Sequence, residues 1–125
     1  MAENQNLTLV KGYMAKILGG DLEGALALCR DDTAFQGPDG SVIDKDGVRA
    51  LFAQLGPLLV NPMEHEILGT TCEGKRVAVE AKARTLLANG KEYANIYHFL
   101  FEIEDGEITA SREYCDTSRA TAFAA

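Results

Sequence analysis

The sequence predicts an α+β domain, and three observations carry that reading. Apolar residues recur at helical spacing in the first half of the chain. They recur at every second position in the second half, where glycine-containing turn signals separate the segments. Helices followed by a strand meander are expected to pack as helices against a curved antiparallel sheet enclosing a pocket. At 125 residues the chain is read as one domain, residues 1–125, long enough to bury a core.

The helices come first. Over residues 7–18, Leu7, Val10, Met14, Ile17 and Leu18 form one stripe, with Leu9 and Tyr13 beside it. Gly19-Gly20 ends that helix, and Asp21 is placed to cap a second over 22–29, with Leu22, Ala25, Leu26 and Cys29 as its apolar positions. Residues 33–36 read as a short strand before the turn Gly37-Pro38-Asp39-Gly40, which leads to the apolar pair Val42-Ile43. Asp44 or Asp46 caps a third helix over 47–55, with Val48, Leu51, Phe52 and Leu55 on one face, and Pro57 closes it.

After Pro62 the period changes to two. Strands are predicted at 65–71, 76–88, 91–104 and 107–115, with turns at Gly74, Asn89-Gly90 and Asp105-Gly106. The alanine-rich tail, 117–125, reads as a short helix or a frayed end.

The formal net charge of −7 argues against general affinity for nucleic acid or for an anionic membrane surface, both of which need basic residues. No apolar run approaches the roughly 20 residues of a spanning helix, and the start lacks the basic-then-apolar pattern of a secretory signal. Three widely spaced cysteines, Cys29, Cys72 and Cys115, form neither a disulfide framework nor a metal knuckle, so a cytoplasmic protein with reduced thiols is expected. Arg112 and Arg119 read as members of solvated or interface ion pairs. His65 stands between Glu64 and Glu66, but strand alternation turns it away from both, so no metal site is expected. The glycines sit at turns rather than in a phosphate-binding loop, so no cofactor is expected either.

The Asp105-Gly106 turn sets a register for the last hairpin. On a bulge-free pairing Ile103 meets Ile108, Phe101 meets Ala110 and His98 meets Glu113. One face then carries Ile96, His98, Leu100, Ser111, Glu113 and Cys115, apolar with a polar centre, as a ligand pocket is. The other carries Tyr97, Phe99, Phe101 and Ile108 with their neighbours, a surface suited to another layer or to a second subunit, and a homodimer is expected from it. His98 and Glu113, opposed at about 5 Å between Cβ atoms, form a candidate acid/base pair.

Gly20-Asp21-Leu22-Glu23 after a helix, Phe52 in the third helix, Tyr97-His98-Phe99, Glu104-Asp105-Gly106-Glu107-Ile108 and Arg112-Glu113-Tyr114-Cys115-Asp116-Thr117 together resemble the SnoaL-like branch of the nuclear-transport-factor-2-like superfamily. The resemblance spans residues 7–117 and implies a cone-shaped, cystatin-like roll whose cavity opens between helices and sheet, often in a homodimer. It leaves function open, because the fold hosts isomerases, cyclases, lyases, epoxide hydrolases and non-catalytic binding domains.

Set beside ketosteroid isomerases, Tyr13 falls at the oxyanion-hole tyrosine and His98 at the oxyanion-hole aspartic acid, while Gly37 stands where the general base precedes a proline. Set beside limonene-type epoxide hydrolases, Glu113 matches the last-strand aspartate, and Glu80 and Lys82 fall at the other two positions of the acid-arginine-acid set. Alternation from Asn89-Gly90 turns those two away from His98. Set beside small polyketide cyclases, Glu113 matches an acid/base residue. The resemblance therefore implies a pocket for a small apolar organic ligand, with Tyr13, His98 and Glu113 as its catalytic candidates. The reading it favours is a cofactor-free isomerase, cyclase or lyase acting on a carbonyl compound. A binding domain without chemistry and an epoxide hydrolase-like enzyme are the alternatives.

Overall fold

The computed structural model describes residues 4–124. Helix α1 (Gln5–Leu18) is capped by the Asn4 side chain, which accepts from the Asn6 amide at 2.8 Å, and it buries Val10, Tyr13 and Met14. Helix α2 (Leu22–Leu26) is shorter than predicted. Asp21 caps it as expected, accepting from the Gly24 amide at 2.9 Å, but Cys29 already begins strand β1 (Cys29–Gln36).

Strand β2 (Val42–Ile43) pairs back on β1, and α3 (Lys45–Leu55) follows, capped by Asp44. The long strands are β3 (Glu64–Glu73), β4 (Arg76–Leu86), β5 (Glu92–Glu104) and β6 (Glu107–Cys115). A 3₁₀ turn at Gly56–Leu58 accommodates Pro57, and a 3₁₀ segment at Thr117–Phe123 ends the described chain.

The six strands form one sheet in the order β2-β1-β6-β5-β4-β3. The four long strands are antiparallel neighbours, as predicted, but the sheet is mixed: β1 lies parallel to β6. No short turn ties those two strands together, so their direction is free of the hairpin constraint. The buried Thr33 hydroxyl, 2.8 Å from the Ile108 carbonyl and 2.6 Å from that of Arg30, sits where the β1–β6 register shifts.

Both turns used to assign the register depart from a simple ladder. At Asn89-Gly90 the loop holds three residues: the Leu87 amide donates to the Lys91 carbonyl at 2.8 Å, and Gly90 takes a positive φ of 85°. At Asp105-Gly106 the loop holds two, with φ of 50° and 78°, and Glu104 faces Glu107 as expected. Thr109 is then an extra residue. Ile103 pairs with Ile108, but Glu102 pairs with Ala110.

These offsets exchange the faces. His98 lies opposite Tyr114 and Glu80, not Glu113, while Glu113 lies opposite Phe99. Glu80 and Lys82 share the face of His98 instead of pointing away from it. The odd-numbered residues of β4 and β5 point inward, and Val77, Val79, Tyr97 and Phe101 are buried among them. The expected dimer surface is therefore mostly core: Phe101 and Ile108 are fully buried, Tyr97 nearly so, and Phe99 half-buried.

Two core clusters cover the inner face. One joins Tyr13, Met14, Leu26, Phe35, Phe101 and Ile108 under the helices. The other joins Ala83, Leu87, Tyr93 and Tyr97, packed by Leu59, Met63 and Phe123.

Candidate functional site

Phe99 packs against both clusters and belongs fully to neither. Its inward-facing neighbours on β5, Tyr97 and Phe101, are buried, while Phe99 keeps partial exposure. The inner face is thus least covered at mid-strand. Glu113 is the residue that β6 sets against Phe99.

Rings surround that place because the period of two sends Tyr97, Phe99 and Phe101 to one side. Tyr97 and Phe99 stack nearly parallel, with centroids 5.5 Å apart, and Phe99 and Phe101 follow at 6.2 Å. Tyr13 reaches in from α1, its ring edge-on to Phe101 at 5.5 Å.

Glu113 is half-buried and makes no hydrogen bond or ion pair among the described residues. Burial raises its carboxyl pKa above the ordinary value of 4.5, since a desolvated carboxylate without a cation is disfavoured. The Tyr13 hydroxyl is held well above its ordinary value, first by burial and then by the charges of Cys29 and Glu113. Tyr97 moves the same way through burial, its hydrogen bond with Tyr93, and the charges of Tyr93, Glu113 and Cys115. Both tyrosines therefore remain protonated donors within electrostatic reach of one carboxyl group.

A polar chain continues from Tyr97. Its hydroxyl lies 2.5 Å from that of Tyr93, to which the Asn95 side-chain amide donates at 2.9 Å. His65 also points inward, opposite Ala83, with its ring 6.2 Å from that of Tyr97 and its buried Nδ1 unpartnered. Burial lowers the His65 pKa, opposed by a hydrogen bond with the Met63 backbone, so the imidazole is neutral at pH 7.

The structure brings together two of the three sequence candidates, Tyr13 and Glu113. It separates the third: His98 is exposed on the outer face, in a shallow groove of about 420 Å³ with Glu80, Ile96 and Tyr114. A second outer groove of about 580 Å³ is lined by charges largely paired among themselves, including Lys82–Glu66 at 3.3 Å and Arg84–Glu92 at 2.8 Å.

Sequence reasoning missed Tyr97, Asn95 and Tyr93 as site residues. Their signal was visible as the spacing Tyr93, Asn95, Tyr97, Phe99, Phe101, with one polar amide inside an aromatic row. Cys29 is buried with its thiol pushed up to about 11, and Cys115 is raised as well, so neither is an activated nucleophile. Among the described residues no three His, Cys, Asp or Glu side chains gather to hold a metal ion. No helix there is long and apolar enough to cross a membrane.

A family model for the SnoaL-like domain matches residues 10–111. The chain belongs to the SnoaL-like family. Solved structures agree with this SnoaL-like domain in fold. A nuclear-transport-factor-2-like protein of unknown function from Burkholderia pseudomallei superposes with a TM-score of 0.89 at 20% identity, covering 98% of this chain and 100% of that one.

A putative polyketide cyclase from Xanthomonas campestris gives 0.81 at 19%, covering 97% of each chain. A protein of ketosteroid isomerase-like fold from Catenulispora acidiphila, in complex with trimethylamine, gives 0.78 at 17%, covering 91% of this SnoaL-like domain and 89% of that chain. At these identities the likeness is one of fold. No curated protein matches the sequence.

Proposed function

We propose that this SnoaL-like protein binds a small, largely apolar carbonyl compound between its helices and the inner sheet face, and moves a proton on it without a cofactor. The observation that carries this reading is Glu113, an unpaired, desolvated carboxyl group set among aromatic rings beside the tyrosines Tyr13 and Tyr97. A carboxyl group whose pKa is raised by burial is a stronger base when ionised and holds its proton to a higher pH, as proton transfer to and from carbon requires. Its partner task, stabilising a developing enolate oxygen, falls to hydroxyl donors in a dry site, the role assigned to Tyr13 and Tyr97. Tyr97 takes the place in this scheme that the sequence assigned to His98.

A putative polyketide cyclase among the structural neighbours supports a chemistry of this class. The epoxide hydrolase alternative lacks its set: Glu80 and Lys82 face outward, and Lys82 is paired with Glu66. A second reading, ligand binding without turnover, is favoured by Gly37, which sits in the β1–β2 turn and has no group to move a proton.

The test is hydrogen–deuterium exchange at the α-carbon of aryl and cyclic ketones in D₂O, with Glu113→Gln beside the parent. Glu113-dependent exchange supports catalysis. Binding without exchange leaves the binding-only reading. Exchange that Glu113→Gln leaves unchanged in rate and pH profile removes Glu113 from the mechanism.

The proposal includes a homodimer, now through the outer face, where Ile96 and Tyr114 are 62% and 45% exposed. Sedimentation equilibrium giving a monomer at micromolar concentration would contradict it. A cytoplasmic location is also part of the proposal, since Cys29, Cys72 and Cys115 are all free thiols; recovery of the protein from an oxidising compartment would contradict that.

A further inference from the structure

Charge is divided unevenly between the two faces of the sheet. The basic side chains nearest Glu113 in sequence are engaged elsewhere: Arg112, on the outer face, lies 2.9 Å from Glu102, and Arg119 lies 3.3 Å from Asp116. Lys82 and Arg84 are likewise paired on the outer face. Around Glu113 the titratable groups are acids. Tyr13 from α1, Tyr97 from β5 and Cys115 from β6 are held above their ordinary values first by burial and then by nearby negative charge, that of Glu113 included. No basic side chain lowers the Glu113 carboxyl, which burial alone raises. His65, the basic group beside the Tyr97 ring, is neutral at pH 7 because burial lowers its pKa.

That arrangement selects the charge of a ligand. A cleft lined by one sign of charge concentrates ligands of the opposite sign, and the whole chain carries −7. An anion would meet Glu113 with no counter-charge beside it. A metal ion needs several ligands, and among the described residues no three His, Cys, Asp or Glu side chains gather to supply them. A small hydrated ion would also have to shed water against the rings of Tyr97, Phe99 and Phe101. An organic ammonium avoids both difficulties. Its charge is spread over a weakly hydrated apolar shell that aromatic rings attract, and one carboxylate balances it. Phe99, the half-buried ring paired with Glu113, is where the two would meet.

We propose that the inner face takes an organic ammonium ion, a protonated or quaternary amine on a largely apolar body, with Glu113 as its counter-ion and Phe99 as its ring contact. This rests on the ligand site proposed above and adds a ligand class that the carbonyl reading does not include. Such a cation turns a desolvated, unpaired carboxylate into half of an ion pair, and it competes with a carbonyl compound for the same place.

The experiment compares phenyltrimethylammonium with tert-butylbenzene, which has the same shape and no charge. Both are titrated by NMR into the parent and into Glu113→Gln, at an ionic strength of about 0.15 M to screen surface charge. At pH 7.5 the parent is expected to hold the cation about tenfold more tightly than the neutral compound, and Glu113→Gln to hold the two about equally. Nuclear Overhauser contacts from the N-methyl protons should reach the Phe99 ring. The probe's charge is fixed, and Tyr13, Tyr97 and Cys115 stay protonated. Its affinity for the parent should therefore fall as pH is lowered from 7.5 to 4.5 and Glu113 gains a proton. A fall of the same size in Glu113→Gln would belong to His65 and would overturn the assignment. So would equal affinities for the two compounds in the parent, a preference for the cation that survives undiminished in Glu113→Gln, or contacts to Ile96 and Tyr114 on the outer face. Failure of the cation to bind, beside Glu113-dependent exchange on ketones, removes this inference and leaves the proposed function standing. Selective cation binding without ketone exchange supports this inference and removes the carbonyl chemistry.

Discussion

Replacing Glu113 by glutamine is expected to stabilise the protein at pH 7 while removing the proton-transfer group. The carboxyl is half-buried opposite Phe99, has no cation, and is raised above its ordinary 4.5 by burial. An unsatisfied buried polar group costs about 1–3 kcal/mol, and a charged one lies at the upper end. Glutamine keeps the shape and removes the charge, so a gain of about 1–2 kcal/mol at pH 7 is expected, or about 4–8 °C in Tm for a domain of this size.

The pH dependence has a definite sign. The folded-state pKa is raised, so between the unfolded value near 4.5 and the folded value the native state binds more protons. The parent is therefore fully stabilised by this group below about pH 4.5, and loses that stability as pH rises through the folded pKa. Urea unfolding followed by far-UV circular dichroism at pH 4.0 and 7.5 is the assay. The variant's advantage should appear at pH 7.5 and shrink at pH 4.0. Glu102→Gln is the control: that carboxylate is paired with Arg112 at 2.9 Å, so its replacement should bring no gain in stability at pH 7.5. A Glu113→Gln variant no more stable than the parent at pH 7.5, or an advantage equal at both pH values, would refute the reasoning.

Three further outcomes are expected. Phe101→Ala empties a fully buried site against Tyr13 and Phe99 and should cost about 3–5 kcal/mol, whereas exposed His98→Ala should stay within about 0.5 kcal/mol; equal losses in urea melts would contradict the assigned faces. Thr33→Val removes a buried hydroxyl that serves the Arg30 and Ile108 carbonyls, and should lower stability by about 1–2 kcal/mol by the same measurement; a neutral result would show that water replaces it. Ile96→Asp should shift the proposed dimer toward monomer in sedimentation equilibrium, and an unchanged mass would remove the outer face as the interface.

The class of fold and most of its elements were legible in the sequence, because they follow from local rules. The stripe from Leu7 to Leu18, the Asp21 cap and the change to a period of two after Pro62 are each a matter of a few neighbouring residues, and the strand β6 matches its expected bounds. The boundary of α2 was not legible, because tertiary pairing with β6 draws Cys29 into a strand. Neither was the parallel β1–β6 contact, which depends on where two distant segments meet.

The candidate site divides along the same line. Tyr13 follows from the family resemblance alone, and Glu113 from that resemblance and from a pairing with His98 that the structure does not contain. Which β5 residue stands with them depended on register, and a strand's side chains change face at every residue. One extra loop residue before β5 and one bulged residue, Thr109, were enough to exchange His98 for Tyr97. Composition carries no mark of that choice, since Asp105-Gly106 forms the expected two-residue turn and the slip comes only afterwards. It was decided by packing: the bulge lets Phe101 and Ile108 stay in the core while turning Glu113 inward, where a one-residue difference in pairing sets a carboxyl group among aromatic rings instead of in water.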